Sequence, residues 1–260
     1  MCSNSSKSNL SFRKDIHLSG LSRIFWFVIL HENRHLLYVI DVDPDPFTGY
    51  GSETDDPDRK EISMNSYGIT RVRGAVDWEQ VPALTLDNIL WLPDQGVRAS
   101  GQFCYDDDTL YVHLQAEESD IRAEYTEPLS PVCQDSCLEF FFQPDGENRY
   151  FNFEINPNGC LYIEFGHGRS DRTALYREDM QELFSIQGDR TQNGWEVYYR
   201  IPVSFLQIFY PDYTYSGTLR ANVYKCGDLT DHKHYLSWNM VKSEKPDFHR
   251  PEDFGTMVFE

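Results

Sequence analysis

The stretch QDSCLEFFF, residues 134–142, places a single carboxylate inside an apolar and largely aromatic run. Successive side chains of a β-strand point to opposite faces, so Leu138 and Phe140 are predicted to share one face while Glu139 projects from the other. A carboxylate in such a strand needs a partner, because burying an unpaired charge is costly. The stretch therefore predicts a core strand with one isolated acid on its second face.

Short alternating segments separated by turn residues continue this pattern along the chain. The clearest is a hairpin, in which residues 151–155 alternate, Asn-Pro-Asn-Gly at 156–159 forms the turn, and residues 161–165 return. Further strands are predicted at 110–117, 195–201, 219–224, 235–238 and 256–259, with a short helix at 203–209. Many short strands of this kind predict an all-β fold, a two-sheet antiparallel β-sandwich of jelly-roll or immunoglobulin-like type.

The composition limits the choice of partners. The 260 residues carry a formal charge of −19, and 40% of them are hydrophobic and 15% aromatic, which is ample for a core. A chain this acidic would be repelled by a nucleic-acid backbone and by an anionic membrane, so neither is expected to bind. A neutral ligand suits the surface better, and the protein is expected to be a monomer.

Residues 1–63 differ from the rest, with a Ser/Asn-rich basic start and an Asp/Pro-rich run from 41 to 58. Low hydropathy and proline predict an irregular, poorly ordered N-terminal extension, and residues 64–260 are predicted to form the sandwich domain. The apolar run at 24–30 is shorter than the roughly 20 residues that span a bilayer. It also lacks a small-residue cleavage site, so the sequence favours a cytoplasmic over a secreted location.

Six cysteines are scattered among the predicted strands, too few for a disulfide-dense fold. Cys133 and Cys137 are four positions apart, unlike the two-residue gap of zinc knuckles, and no matching His/Cys pair follows them. The cysteines are therefore predicted to be reduced, buried thiols.

Five segments, in this order along the chain, resemble family 9 carbohydrate-binding modules over roughly residues 70–260. They are Asp-Asp-Asp-Thr-Leu-Tyr-Val at 106–112, the Asp135 to Glu139 strand start, the Trp195 strand ending in Ile201-Pro202, the Ser237-Trp238 pair, and the close Pro251-x-x-Phe254-Gly255. The resemblance implies a β-sandwich that recognises a saccharide without catalysis. It also implies a link to polysaccharide breakdown and a kinship with DOMON-like sandwiches.

The resemblance also transfers site residues, with departures. The family's glutamate falls on Glu139. The two tryptophans that sandwich the sugar in the family fall nearest to Phe248 and on Val132, and its arginine falls on Glu154. One aromatic is thus kept in smaller form, the other is lost, and one charge is reversed. These departures imply a variant site or a different glycan.

Sugar recognition needs flat apolar faces for C–H groups and planar polar groups for hydroxyls. The substitute platforms that the chain offers are Trp238, Tyr125, Tyr224 and Trp91. Its best cations are Arg122 and Arg169, although the loop around Arg169 favours a surface ion pair for that residue. Lys225, at a strand end, is a further candidate, and His249 could either donate to a ligand or cap the final turn. The ligand-binding set predicted from the sequence is Glu139, Phe248, Trp238, Arg122, Glu154, Lys225 and His249.

Two other functions remain as alternatives. Glu139 and Glu154 could be the acid pair of a glycoside hydrolase, or of an accessory part of one, but the chain offers neither a large barrel nor cleft-forming insertions. A haem-binding DOMON-type electron-transfer domain would use Met240 and His113 as axial ligands. A nucleophile elbow, a phosphate loop and an HExxH motif are all missing, so no catalytic residue is predicted.

No cofactor is expected from the sequence, although structural calcium is an option. Asp106, Asp107 and Asp108, or Asp135 with nearby carbonyls, would supply hard oxygen ligands. Turn formation explains the first three aspartates equally well.

Overall fold

A computed structural model describes residues 26–30, 36–40 and 64–260. Within them lie sixteen strands, two short α-helices and three single-turn 3₁₀ helices. The strands are β1 Trp26–Leu30, β2 Leu36–Ile40, β3 Ser66–Arg71, β4 Ala83–Thr85, β5 Asn88–Ile89, β6 Arg98–Tyr105, β7 Thr109–Glu117, β8 Cys137–Pro144, β9 Tyr150–Ile155, β10 Leu161–Gly168, β11 Asp171–Tyr176, β12 Gln187–Arg190, β13 Gly194–Pro202, β14 Thr218–Cys226, β15 Tyr235–Ser237 and β16 Gly255–Phe259. The helices are α1 Met180–Phe184 and α2 Val203–Leu206, and the 3₁₀ turns are Trp78–Gln80, Val132–Gln134 and Pro251–Asp253.

The strands follow one another in a single curled sheet, a half-barrel, with the order β1-β2-β11-β10-β9-β8-β14-β16-β3-β6-β7-β13-β12. Strand β3 pairs in parallel with β16 on one side and with β6 on the other, and it thereby joins the two halves. The predicted all-β class is confirmed. The predicted separation into two sheets differs from this arrangement, because β3 shares its backbone hydrogen bonds between both halves.

The two halves of the sheet face each other across a central core. Phe103 of β6 meets Phe140 of β8 with ring centroids 4.8 Å apart, and Phe153 of β9 lies 6.0 Å from Tyr199 of β13. The even-numbered face of β8, which begins with Leu138, contributes to this core, as the alternation in the sequence predicts. Packing of the two halves against each other therefore removes from solvent the inner faces of the sheet, which backbone pairing alone would leave exposed.

Strands β8 and β9 are buried on both faces along their whole length. Their second face is covered by an outer cluster of apolar side chains, which comprises Leu90, Val132, Cys137, Phe141, Tyr150, Cys160, Tyr224, Cys226, Tyr235, Val241, Phe248 and Phe254. Loops before β8 and before β16 supply part of this cover. Glu139 is therefore buried, and the covering loops determine how far its carboxyl group can be reached from solvent.

Most predicted elements are found close to their predicted positions. The hairpin forms between β9 and β10, and Gly159 takes a φ of 72° in its turn, a conformation that glycine adopts without steric penalty. Pairing of β8 with β9 and β14 runs without a register shift, so no bulge precedes Glu139 within the strand. Helix α2 ends at Leu206, three residues earlier than predicted.

Two strands of the predicted N-terminal extension belong to the sheet. Strand β1 pairs with β2, and β2 pairs with β11, where Leu37 is only 1% exposed in the central core. The other residues of 1–63, and the prediction that they are poorly ordered, lie outside the described residues. In the described part of the chain, no helix has the length and apolar character needed to cross a bilayer.

Candidate functional site

A cleft of about 440 Å³ opens on the outer face of the sheet, above β8, β9 and β10. This aromatic cleft, as we name it, has a size typical of small-molecule sites. Its lining residues are Trp91, Leu129, Pro131, Cys133, Glu139, Glu154, Tyr162, Arg169, Arg172, Ala174, Cys226, Asp228, Tyr235, Pro246, Asp247, Phe248 and His249. Four residues of the predicted set lie here: Glu139, Glu154, Phe248 and His249.

Strand register builds the floor of the cleft. Glu139 of β8 lies directly opposite Glu154 of β9, and Glu154 lies opposite Tyr162 of β10. On the other side, Tyr224 of β14 lies opposite Glu139. Residues opposite one another in antiparallel strands project to the same face, so these four side chains form a row across the outer face of the sheet.

Glu139 lies at the bottom of the cleft and is 2% exposed. Its Oε1 accepts a 3.0 Å hydrogen bond from the Cys226 thiol. Burial, and then the charge of neighbouring Glu154, raise the pKa of Glu139 well above its ordinary value. Within the described residues no lysine, arginine or histidine forms an ion pair with it, so Glu139 is a buried acid that has kept its hydrogen-bonding capacity for the cleft.

Glu154 shares this environment. Burial, followed by repulsion from Glu164, raises the pKa of Glu154 to about 7. Its Oε1 accepts a 3.0 Å hydrogen bond from Asn152 Nδ2. The nearby Arg172 instead pairs with Glu164, in contact through its Nε. Near neutral pH the two floor acids thus offer both carboxyl and carboxylate oxygens, which can donate as well as accept hydrogen bonds.

Aromatic rings form one wall. Phe248 stacks on Tyr224 with centroids 4.1 Å apart and an interplanar angle of 10°, and Trp91 tilts against Phe248 at 5.6 Å and 39°. Trp91 is fixed by its indole N–H, which donates to the Ser243 carbonyl at 2.7 Å. Tyr235 meets Trp91 edge-on at 5.3 Å. The wall therefore supplies the flat apolar faces that the C–H groups of a pyranose require.

His249 lies where the wall meets the rim. Its Nδ1 shares a 2.8 Å hydrogen bond with the hydroxyl of Tyr150. Burial, with the nearby charges of Arg172 and Arg169, holds the pKa of His249 well below its ordinary value. The imidazole is therefore neutral at physiological pH and can act as a hydrogen-bonding group rather than as a cation.

Lys225, predicted to bind ligand, lies away from the cleft. Its side chain is 0% exposed and points to the face opposite that of Cys226. There its Nζ is 3.1 Å from Glu118 Oε1 and donates to His234 Nε2 at 2.7 Å. The reason is strand alternation, since Tyr224 and Cys226 occupy the outer face and Lys225 between them cannot.

Trp238 and Arg122 also lie elsewhere. Trp238 is buried in the central core, where its ring packs on the α-carbon of Gly255 so closely that an added Cβ there would lie 2.7 Å away. Arg122 pairs with Glu124, and its Nε lies 3.3 Å from buried Asp135 Oδ1. Neither residue lines the cleft.

Two further predictions concern the calcium candidate Asp135 and the residue at the position of a family tryptophan, Val132. Asp135 Oδ2 accepts hydrogen bonds from the backbone of Glu124 and Tyr125 and from Asn156 Nδ2, while its buried Oδ1 makes no hydrogen bond. Val132, at the position of a family tryptophan, is fully buried in the outer cluster. The aromatic wall is instead completed by Trp91, whose place beside Phe248 no local signal in the sequence reveals.

The haem alternative is not supported by the placement of its two ligands. His113 uses both ring nitrogens, with Nδ1 2.8 Å from Gln102 Oε1 and Nε2 2.9 Å from Glu196 Oε2, and it stacks on Tyr198 at 4.0 Å. Met240 packs instead against the outer cluster. An axial ligand needs a free ring nitrogen, and His113 offers none.

A larger cavity of about 560 Å³ lies at another site, between the ends of β7 and β13. Its lining includes Glu118, His232 and His234 but no phenylalanine, tyrosine or tryptophan. Without a flat apolar face it lacks one of the two elements of a sugar site, so the smaller aromatic cleft is the candidate.

An all-β domain with ring faces set beside buried acids that lack ion pairs belongs to the class of saccharide-binding domains. The chain is a member of Carbohydrate-binding family 9, whose family model matches residues 71–259. Carbohydrate binding is accordingly its class of activity.

Solved structures with a similar fold include a protein from Bacteroides uniformis to which carbohydrate binding has been ascribed. It is 27% identical, with a TM-score of 0.67, over 76% of this chain and all of that one. A family 9 module from Caldicellulosiruptor kristjanssonii is similar in its complex with cellotriose (11% identity, TM-score 0.53, 75% of this chain and 94% of that one) and in its complex with glucose (12%, 0.54, 75% and 96%). Among curated proteins no significant match is found.

Proposed function

We propose that the aromatic cleft binds a neutral saccharide, with Trp91 and Phe248 against its C–H face and Glu139 and Glu154 bonded to its hydroxyls. The observation that carries this proposal is the floor itself, two adjacent buried acids without an ion pair among the described residues, in the same cleft as the rings of Trp91 and Phe248. A saccharide has both elements that this arrangement needs, an apolar face and a fringe of hydroxyl groups.

The placement of the two acids supports the proposal that the protein binds without catalysing a reaction. A glycoside hydrolase holds its carboxyl groups on either side of the scissile bond. Glu139 and Glu154 instead lie side by side on one face of neighbouring strands. Both would contact the same side of a bound sugar, where they can hold its hydroxyls. A role in polysaccharide breakdown would then be that of a targeting module.

The scaffold and the partners belong to the same proposal. The two facing halves of the curled sheet would act as the two layers of a sandwich, with the sugar bound on the outside of one layer. With a net charge of −19 the protein would avoid nucleic acids and anionic membranes, and it would act as a monomer.

Titration of the full chain with mono- and oligosaccharides tests the proposal. Glucose and cello-oligosaccharides are the first ligands to try, since family 9 modules with this fold have been solved with glucose and cellotriose. Saturable binding by calorimetry and a shift in tryptophan fluorescence are expected for at least one ligand. No reducing sugar should appear from xylan, cellulose or mannan.

Matched tryptophan variants locate the site. Trp91→Ala should weaken binding by about 0.5–1.5 kcal/mol, the worth of a well-placed aromatic contact, and remove most of the fluorescence shift. Trp78→Ala is the control, because Trp78 packs on His113 and Tyr198 outside the cleft. Equal loss of affinity in both variants, or turnover that disappears in Glu139→Gln, would refute the proposal.

A further inference from the structure

Three potential metal ligands converge at one end of the cleft floor. Cys137 of β8 lies directly opposite Cys226 of β14, and Glu139 follows two residues later on the same face of β8. The two sulfur atoms and a carboxylate oxygen all lie within 4.8 Å of one another, and all three side chains are buried. Glu139 and Cys226 also line the cleft, so the cluster is reachable from solvent through it.

Among the described residues, no lysine, arginine or histidine side chain forms an ion pair with this cluster. The ammonium of Lys225, next in the chain to Cys226, is engaged on the opposite face with Glu118. A divalent cation held by the three groups would supply a positive charge at this place and stabilise their ionised forms.

We propose that Cys137, Cys226 and Glu139 form a binding site for a borderline-soft divalent metal, Zn²⁺, whose fourth coordination position faces the aromatic cleft. Thiolate and carboxylate are both zinc ligands, and thiolates disfavour the hard cations Ca²⁺ and Mg²⁺. Zinc holds sulfur at about 2.3 Å and carboxylate oxygen at about 2.0–2.2 Å. Donor atoms already within 4.8 Å need only small side-chain rotations to reach that geometry.

The fourth position gives the metal a role at the sugar site. Cys226 and Glu139 reach the cleft from its floor, so an ion between them would present its open side to the cleft, to a water molecule or a saccharide hydroxyl. The inference goes beyond the proposed function and does not depend on it, because metal binding can be measured without any sugar.

Cobalt and zinc titration of the full chain, reduced and stripped of metal with EDTA, tests the site. One Co²⁺ per chain should bind with a sulfur-to-cobalt charge-transfer band, and Zn²⁺ should displace it. Zn²⁺ should also raise the thermal midpoint of the wild-type protein, because a ligand that binds only the folded state stabilises it. No cobalt band, no shift of the midpoint, or a Cys137–Cys226 disulfide in freshly reduced protein would overturn the proposal.

Variants assign the ligands. Cys137→Ser and Cys226→Ser should each abolish the band, and Glu139→Gln should keep it with at least tenfold weaker affinity. If circular dichroism shows a serine variant to be unfolded, the alanine variant replaces it, since alanine suits an apolar site. Cys104→Ser is the matched control, a buried thiol of β6 outside the cluster, and Cys2→Ser controls for the thiol outside the described residues. Equal loss in a control would contradict the assignment.

The outcome for the metal can be separated from the outcome for the sugar. Saccharide titrations in EDTA report on the proposed function alone, and cobalt titrations without saccharide report on the metal site alone. Sugar binding in EDTA with no cobalt binding would remove the metal proposal and leave the sugar site. Cobalt binding with no affinity for any saccharide would remove the sugar site and leave the metal proposal.

Discussion

Lys225 and Cys226 are neighbours in β14, yet their side chains enter two buried polar clusters of opposite character. Lys225 joins an internally compensated cluster, in which its ammonium contacts Glu118 and His234, and the Trp195 indole N–H donates to the same Glu118 oxygen at 2.5 Å. Cys226 joins the cleft floor, where its thiol is a hydrogen-bond donor to Glu139 and no cation is paired with the acid among the described residues.

The contrast between the two clusters distinguishes buried charges that stabilise the fold from buried acids that are available to a ligand. Buried charges are usually paired within the protein, and in the cluster around Lys225 the ammonium and the Glu118 carboxylate are paired, although Glu118 Oε2 makes no hydrogen bond. The cleft floor departs from the usual pairing at a place open to ligands, which is where perturbed acids tend to mark function. Variants of the first cluster should therefore act on stability, and variants of the second on binding.

The largest expected effect is loss of stability in Lys225→Met. The change leaves the buried Glu118 carboxylate without its ammonium, and breaking a buried pair in this way costs about 3–5 kcal/mol. Urea unfolding at pH 7 measures it, with Lys245→Met, at an exposed position, as the control. A loss below about 1 kcal/mol in Lys225→Met would show that the ion pair is not what compensates this cluster.

The same cluster predicts a pH dependence. Burial, and then the charge of Lys225, lower the pKa of His234 to about 4 from an ordinary 6.5. Since the unfolded chain takes up this proton first, the stability contributed by neutral His234 is complete above pH 6.5, is lost as the pH falls from 6.5 to about 4, and changes little below that. The loss between pH 7.5 and 4 is about 3 kcal/mol.

His234→Asn isolates that contribution. Other groups titrate equally in both proteins, so between pH 7.5 and 4 the wild type should lose about 3 kcal/mol more unfolding free energy than the variant. His232→Asn, whose ring is exposed, should behave as the wild type. Parallel pH curves for wild type and His234→Asn would mean that the protonated ring is accommodated in the folded state.

A smaller effect, on affinity rather than stability, is expected at the cleft floor. Glu139→Gln should weaken saccharide binding in EDTA by about 1–3 kcal/mol, the worth of a charged hydrogen-bond partner. The thermal midpoint should stay unchanged or rise, because the buried acid is removed from an unfavourable environment. Glu196→Gln, outside the cleft beside His113, should leave affinity unchanged. If Glu139→Gln lowers the thermal midpoint and leaves the saccharide affinity per folded molecule unchanged, Glu139 stabilises the fold and does not bind the ligand.

Local sequence rules were sufficient where a single strand or turn decides the outcome. The two faces of β8 follow from alternation alone, which places Glu139 opposite the core face; its burial depends on the loops that cover that second face. The hairpin of β9 and β10 follows from alternation and a turn with glycine. The length of α2 was overestimated, since nothing local marks its end at Leu206.

The site was predicted only in part, because its wall and its floor are assembled from distant segments. Trp91, beside Phe248, was one of several aromatic candidates that the sequence could not rank. Lys225 was placed in the site because it ends a strand with Tyr224, although adjacent strand residues cannot share a face. Trp238 illustrates the same limit, since an aromatic residue in a strand fits a core as well as a cleft.

By itself, the sequence determined the strands, the all-β class, the family and the isolated acid of β8, because these depend on spacing between near neighbours. Only the tertiary structure decided that Glu139 lies opposite Glu154, that Cys137 lies opposite Cys226, and that loops roof these side chains with Trp91 and Phe248. Strand pairing and loop packing are long-range choices of the whole chain, and the pairing of side chains across strands is fixed only when the entire sheet has formed.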